Sequence, residues 1–89
     1  MIEVYSKPNC IFCDKTKNLL RDHQIPFVEY KLNEDFTREI LTEKYSEARS
    51  FPVVVIDGFF IGGYTELQIR LNEELKNTQK LLNEGFNHV

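Results

Sequence analysis

The chain's only two cysteines stand three positions apart, in Cys10-Ile11-Phe12-Cys13. On a helix, residues at that spacing are neighbours, so the two thiols can close a disulfide and reopen it by thiol exchange. Cys10 falls where a helical pattern begins, directly after the short apolar stretch from Met1 to Tyr5. The free backbone N–H groups and dipole at a helix start favour a thiolate, the reactive form of cysteine, and Lys7 adds a cation nearby. Cys10 is therefore the expected nucleophile. Cys13 lies one turn further in, on the apolar stripe, and is placed to resolve a mixed disulfide formed on Cys10.

Other uses of two cysteines fit less well. A zinc site takes about four ligands, and beyond the cysteines only His23 and His88 are available, at unrelated spacings. No metal site is expected, and His23 reads as a helix-terminal residue. A disulfide across two residues closes too short a loop to stabilise a fold much. Packing alone does not call for cysteines at a helix start.

The elements that would position the pair are legible in outline. Ile2 and Val4 alternate with Glu3 and Tyr5 as in a half-buried strand, and Pro8 punctuates the loop that follows. From Cys10 to about His23, the residues Cys13, Thr16, Leu20 and His23, with Leu19 beside them, make one stripe. Asp14, Lys15, Lys17, Asn18, Arg21 and Asp22 lie outside it. Phe27 to Leu32 reads as a second strand, with Val28, Tyr30 and Leu32 on one face. Asn33 to Asp35 offers a cap for a second helix, from Phe36 to about Tyr45, built on Phe36, Ile40, Leu41 and Tyr45. Val53 to Ile56 is β-branched throughout and suits a strand buried on both faces. Asp57-Gly58 predicts a tight turn into a fourth strand, Phe59 to Ile61. Thr65 can cap a last helix carrying Leu67, Leu71 and Leu75, and a further turn or short helix is expected to carry Leu81 and Leu82. The order β-α-β-α-β-β-α gives a right-handed crossover and then a hairpin, hence an α/β fold with a mixed sheet. A C-x-x-C beside a β-α-β pattern is a strong signal for a thioredoxin-like redox site.

Size and charge narrow the reading. Eighty-nine residues with 42% hydrophobic content make one domain, 1–89, with one core. No stretch has the length of a membrane span, and the first residues lack the basic start and apolar run of a signal peptide. A cytoplasmic, reducing setting is expected. The net charge of −3 argues against nonspecific nucleic-acid binding. The cysteines nonetheless sit in the one locally positive stretch, where Lys7, Lys15, Lys17 and Arg21 outnumber Glu3 and Asp14.

Three segments carry a resemblance. Tyr5-Ser6-Lys7-Pro8-Asn9-Cys10-Ile11-Phe12-Cys13, Ser50-Phe51-Pro52 and Ile61-Gly62-Gly63-Tyr64-Thr65-Glu66-Leu67 are similar, in order and spacing, to the strand-end and active-site, Thr-Val-Pro and Ile-Gly-Gly-Tyr-Thr-Asp segments of the glutaredoxins. The resemblance covers nearly the whole chain. It implies a thioredoxin-like fold, with a four-stranded mixed sheet in the order 2-1-3-4 flanked by three or four helices. It implies that Pro52 is cis and faces the cysteines. It further implies a glutathione groove formed by Lys7, Phe12, Phe51, Pro52, Gly63, Tyr64, Thr65 and Glu66. Lys7 would approach the glycyl carboxylate, with Arg38 or Arg49 as a second cation. The Phe51 backbone would pair with the cysteinyl part, and Thr65 and Glu66 would meet the γ-glutamyl end. Four positions depart from the family: Ile11 for proline, Phe12 for tyrosine, Phe51 for a smaller valine, and Glu66 for aspartate.

The activity so implied is glutathione-dependent reduction of protein disulfides and glutathione mixed disulfides by a monomer. Ribonucleotide reductase and glutathionylated proteins are the family-typical partners. Glutathione would be a co-substrate, with no tightly bound cofactor and no membrane partner. Two alternatives stand beside it. One is a thioredoxin-like electron donor recycled by a flavin reductase, kept open by Phe51 and the missing tyrosine. The other is an iron–sulfur cluster shared through Cys10, motivated by a helix start that Ile11 leaves less constrained.

Overall fold

A computed structural model describes residues 1–73. The expected positions of Leu75, Leu81, Leu82 and His88 lie outside the described residues. Strand β1 (Ile2–Ser6) leads into helix α1 (Ile11–Asp22), followed by β2 (Phe27–Lys31), α2 (Arg38–Lys44), β3 (Val53–Ile56) and β4 (Phe59–Gly62). Residues 64–73 form a third helix, α3. The strands make one mixed sheet in the order β2-β1-β3-β4, the order that the resemblance implied. β1 runs parallel to β2 and antiparallel to β3, which pairs antiparallel with β4.

The β-branched run at β3 is what lets that strand sit inside the sheet. Val53, Val54 and Val55 are all buried, and their alternation feeds two cores. Val53 and Val55 join Tyr5, Leu32, Phe36, Leu41 and Ala48 on one face, under α2. Val54 joins Val4, Leu20, Leu67 and Leu71 on the other, under α1 and α3. Side chains of a strand alternate between faces, so one residue step along β3 changes the core it serves. Tyr5 anchors the α2 side. Its ring meets Phe36 edge-on at 5.1 Å and Tyr30 at the same centroid distance, geometries favoured by the aromatic quadrupole.

The hairpin expected at Asp57-Gly58 is present, with both residues at positive φ (51° and 83°), as a two-residue turn with the hand of the sheet twist requires. Three expectations are corrected. Helix α2 starts at Arg38 rather than Phe36, and its cap is Thr37, whose hydroxyl accepts from the Ile40 amide at 3.3 Å. Asn33 to Asp35 instead form a turn. Asn33 takes φ 66°, and the Asp35 carboxylate accepts from the Lys31 amide at 2.8 Å. The turn lets Phe36 bridge to Leu32 as an extension of the sheet. Second, Ile40 is exposed rather than on the buried stripe of α2. His23 is likewise exposed, as the C-cap of α1. Third, α3 begins one residue before Thr65, and Gly63 occupies the capping position.

Candidate active site

The dithiol sits where β1 hands over to α1. Asn9 adopts φ 55°, a left-handed conformation that asparagine tolerates, and turns the chain into the helix. Cys10 is the N-cap, in extended backbone at φ −115° and ψ 105°. Its sulfur accepts a hydrogen bond from the Cys13 amide at 3.2 Å. An N-cap side chain normally offers oxygen to these amides; here the Cys10 sulfur takes that role. The helix starts regularly at Ile11 without a proline at that position.

The two sulfurs differ in environment. Cys10 is partly exposed, whereas Cys13 is 1% exposed on the same buried stripe as Thr16 and Leu20. Burial, and next the hydrogen bond shared with Cys10, push the Cys13 thiol up to about 12. The Lys7 backbone amide and the Lys17 ammonium pull weakly the other way. Cys13 is thus held as a thiol at neutral pH. A group raised on folding stabilises the fold fully below its free value, here 9.0, and the contribution is lost as pH climbs to about 12. The reduced protein should therefore lose stability across that alkaline window. Denaturant unfolding as a function of pH should show a shallower loss in Cys13→Ala. The Tyr5 hydroxyl is also raised, by burial and then by Glu3, but it is common to both proteins. Equal slopes would refute this account of Cys13.

Phe12, between the two cysteines, lines a groove of about 260 Å³ with Ser50, Phe51, Pro52, Gly63, Tyr64, Thr65 and Glu66, while Cys10 itself borders a different cleft. The groove gathers seven of the eight residues expected there and adds Ser50. The Phe51–Pro52 peptide bond is cis. Phe12, half-exposed, tilts against Tyr64 at 5.8 Å. The Lys15 ammonium stands over the Phe12 ring, 5.1 Å from its centre. Lys7 is the exception. It lines a second cleft, of about 310 Å³, with Cys10, and reaches toward the groove only through Phe51, with its Nζ 6.0 Å from that ring. The Arg38 guanidinium lies over the same ring at 5.3 Å. Arg38 and Arg49 line a further cavity that shares Ser50 and Phe51 with the groove. Of the two candidate cations, Arg38 is the one that stacks on Phe51.

Glycines shape the far end. Gly62 takes φ 134°, and a Cβ there would lie 2.6 Å from Glu66 Cγ, while one on Gly63 would come within 3.2 Å of the Pro52 carbonyl oxygen. Both positions let α3 start close against the cis-proline segment. The Glu66 carboxylate folds back and accepts from the Gly63 amide at 3.2 Å, one half of a capping box. Glu66 thus closes a helix end at the groove's rim.

Sequence reasoning missed a polar cluster at the edge of the Cys10 cleft. Lys17, expected outside the buried stripe of α1, is mostly buried, and its Nζ meets the Glu29 carboxylate at 2.9 Å and Asp14 at 3.6 Å. The Ser6 hydroxyl donates to Glu29 at 2.7 Å. Burial works to raise the Glu29 carboxyl, but the Lys17 and Ser6 hydrogen bonds outweigh it and hold it below its usual value. Lys17 is raised in turn, chiefly by Glu29. The available signal was a charged residue in the middle of Phe27-Val28-Glu29-Tyr30.

The sheet order, the capped dithiol and the cis-proline groove define a thioredoxin-like thiol–disulfide fold. The glutaredoxin family model matches residues 2–61. A glutaredoxin-like 8.6 kDa protein of the rubredoxin operon of Clostridium pasteurianum is 35% identical over 69 residues, covering 78% of this chain and 92% of that protein. The glutaredoxin-like protein NrdH of Lactococcus lactis subsp. cremoris is 33% identical over 66 residues, with 72% and 88% covered. The crystal structure of a wheat glutaredoxin superposes with a TM-score of 0.68 at 30% identity, covering 84% of this chain and 71% of that one. The chain belongs to the glutaredoxin family of thiol oxidoreductases. No helix among the described residues is long and apolar enough to cross a membrane.

Proposed function

We propose that the protein is a glutathione-dependent thiol–disulfide oxidoreductase acting through Cys10 and Cys13. The observation that carries this reading is the groove in which Phe12, between the two cysteines, meets the cis-proline segment and the start of α3. Cys10 attacks a protein disulfide or a glutathione mixed disulfide, and one partner thiol departs. Cys13 then attacks Cys10, the second thiol leaves, and Cys10–Cys13 is oxidised. Glutathione restores the dithiol through a Cys10–glutathione adduct. The groove would hold that tripeptide with its cysteinyl part along the Phe51 backbone. Its γ-glutamyl carboxylate would meet the backbone amides at the start of α3. Its glycyl carboxylate would lie toward Lys7 and Arg38. Glutathionylated proteins and protein disulfides, ribonucleotide reductase among them, are the proposed substrates, and a reducing cytoplasm is the proposed setting. Glutathione enters as co-substrate to a monomer that needs no bound cofactor. Redox titration against glutathione, with mass spectrometry of the products, tests the reading. A glutathione adduct confined to Cys10 is expected; a dithiol that does not equilibrate with glutathione would sink it.

Phe51 favours a second reading, a thioredoxin-like electron donor recycled by a flavin reductase. Its ring occupies the groove wall and holds Lys7 and Arg38 against its faces. If ring volume limits the groove, Phe51→Val should lower KM for a glutathionylated peptide by about three- to tenfold, or ~0.6–1.4 kcal/mol. Thermal unfolding should show a cost of about 1–2 kcal/mol for the lost packing. An unchanged KM in initial-rate assays would reject the steric role. Comparing recycling by glutathione with recycling by thioredoxin reductase separates the two readings outright.

A further inference from the structure

The Ser6–Glu29–Lys17 cluster has no part in the chemistry described so far, yet it borders the Cys10 cleft and stands on the Cys13 face of α1. Ser6, Lys17 and Glu29 line the same cleft as Cys10. Lys17 is four residues after Cys13 on α1 and therefore shares its helix face. A cation on that face favours a thiolate at Cys13 over the thiol. A long, flexible lysine is an imprecise source of charge, but this one is fixed by a 2.9 Å contact to Glu29, which Ser6 holds at 2.7 Å. Asp14 gives it a second, longer contact at 3.6 Å. The other charged or titratable groups around the cleft are Lys7 and Cys10 from the loop, and Lys31 and Glu34 from the end of β2.

We propose that Lys17, clamped by Glu29 and Ser6, is a positioning residue for the resolving step, supplying the cation against which Cys13 ionises as it attacks the Cys10 mixed disulfide. The inference rests on the dithiol reading above. In this step Cys13 gives up its proton and its thiolate attacks Cys10. The Cys10–Cys13 bond forms, the bond from Cys10 to the substrate sulfur breaks, and the departing thiolate takes up a proton from water. The mixed disulfide is the oxidant, so no further reagent is needed. The ion pair keeps this mostly buried lysine charged: Glu29 offsets the cost of removing the ammonium from water.

The signs make the idea testable. Removing the cation disfavours the Cys13 thiolate, and removing Glu29 frees the lysine from the place that lets it act. A symmetrical bis(nitrobenzoate) disulfide releases one coloured thiolate when Cys10 attacks and a second when Cys13 attacks. Stopped-flow absorbance across pH therefore reads both steps. Lys17→Gln should slow the second release roughly three- to tenfold at neutral pH and move its pH midpoint upward, as expected for a thiolate fraction changed by up to one pKa unit. Glu29→Gln releases the clamp and should slow the second release in the same direction, whereas Lys17→Arg keeps the cation and should restore most of the rate. The first release should stay within about twofold in all three, which also shows that the variants are folded. A second release unmoved in Lys17→Gln, or slowed as much in Lys17→Arg as in Lys17→Gln, overturns the proposal. A second release that persists in Cys13→Ser would overturn the dithiol reading instead.

Discussion

Cys10→Ser should reduce turnover of every disulfide substrate to background, a loss of about 10³-fold or more, on the scale seen when an enzyme's nucleophile is removed. The expectation follows from position before chemistry. Cys10 is the partly exposed sulfur of the pair and borders the cleft beside α1. Its sulfur already accepts the Cys13 amide in the N-cap position. A serine oxygen would accept that amide at least as well, so the helix start and the fold should survive. What disappears is the thiolate, for which a hydroxyl is no substitute at neutral pH. The measurement is reduction of a glutathione mixed disulfide under excess glutathione, with circular dichroism as the check on folding. Full activity in a folded Cys10→Ser protein would remove Cys10 from the mechanism.

The fold was legible because its signals are local and redundant. The four β-branched residues of β3, the Asp57-Gly58 turn and the alternation in β1 each point to one element, and together they leave few topologies. The groove was legible only through family resemblance. Pro52 and Gly63 are far from Cys10 in sequence, and no periodicity brings them together. Helix starts were misplaced where side-chain hydrogen bonds decide between neighbours. Thr37 won the cap of α2 because Asp35 was committed to the Lys31 amide. Gly63 displaced Thr65 because Glu66 reaches back to its amide. The Lys17–Glu29 pair was hidden for another reason. Helical periodicity assigns a lysine to the solvent face, and only the crossover from α1 to β2 brings an acid to meet it. A half-buried ion pair spends desolvation energy that apolar residues would not require. Its presence beside the dithiol therefore calls for a chemical reason as well as a packing one.

Cys13→Ser should separate two activities that Cys10→Ser removes together. Reduction of a protein disulfide needs the resolving thiol, since a long-lived mixed disulfide on Cys10 otherwise traps the enzyme. A glutathione mixed disulfide needs only Cys10, because a second glutathione can release the adduct. The expected result is a fall of about a hundredfold or more in protein-disulfide reduction, ~2.7 kcal/mol in transition-state terms, with deglutathionylation held within about threefold. The substitution suits the site. Cys13 is 1% exposed, but its neighbour Thr16 already satisfies a buried hydroxyl by donating to the Phe12 carbonyl at 2.8 Å. A serine at position 13 has the same option one turn earlier, toward the carbonyl of Asn9 or the loop before it. Because Cys13 is kept as a thiol by burial and by Cys10, it does not compete with Cys10 for the first attack. It becomes reactive only when its neighbour carries the substrate sulfur. Loss of both activities in a folded Cys13→Ser protein would mean that glutathione does not release the Cys10 adduct, and would favour the reading of the protein as a thioredoxin-like electron donor.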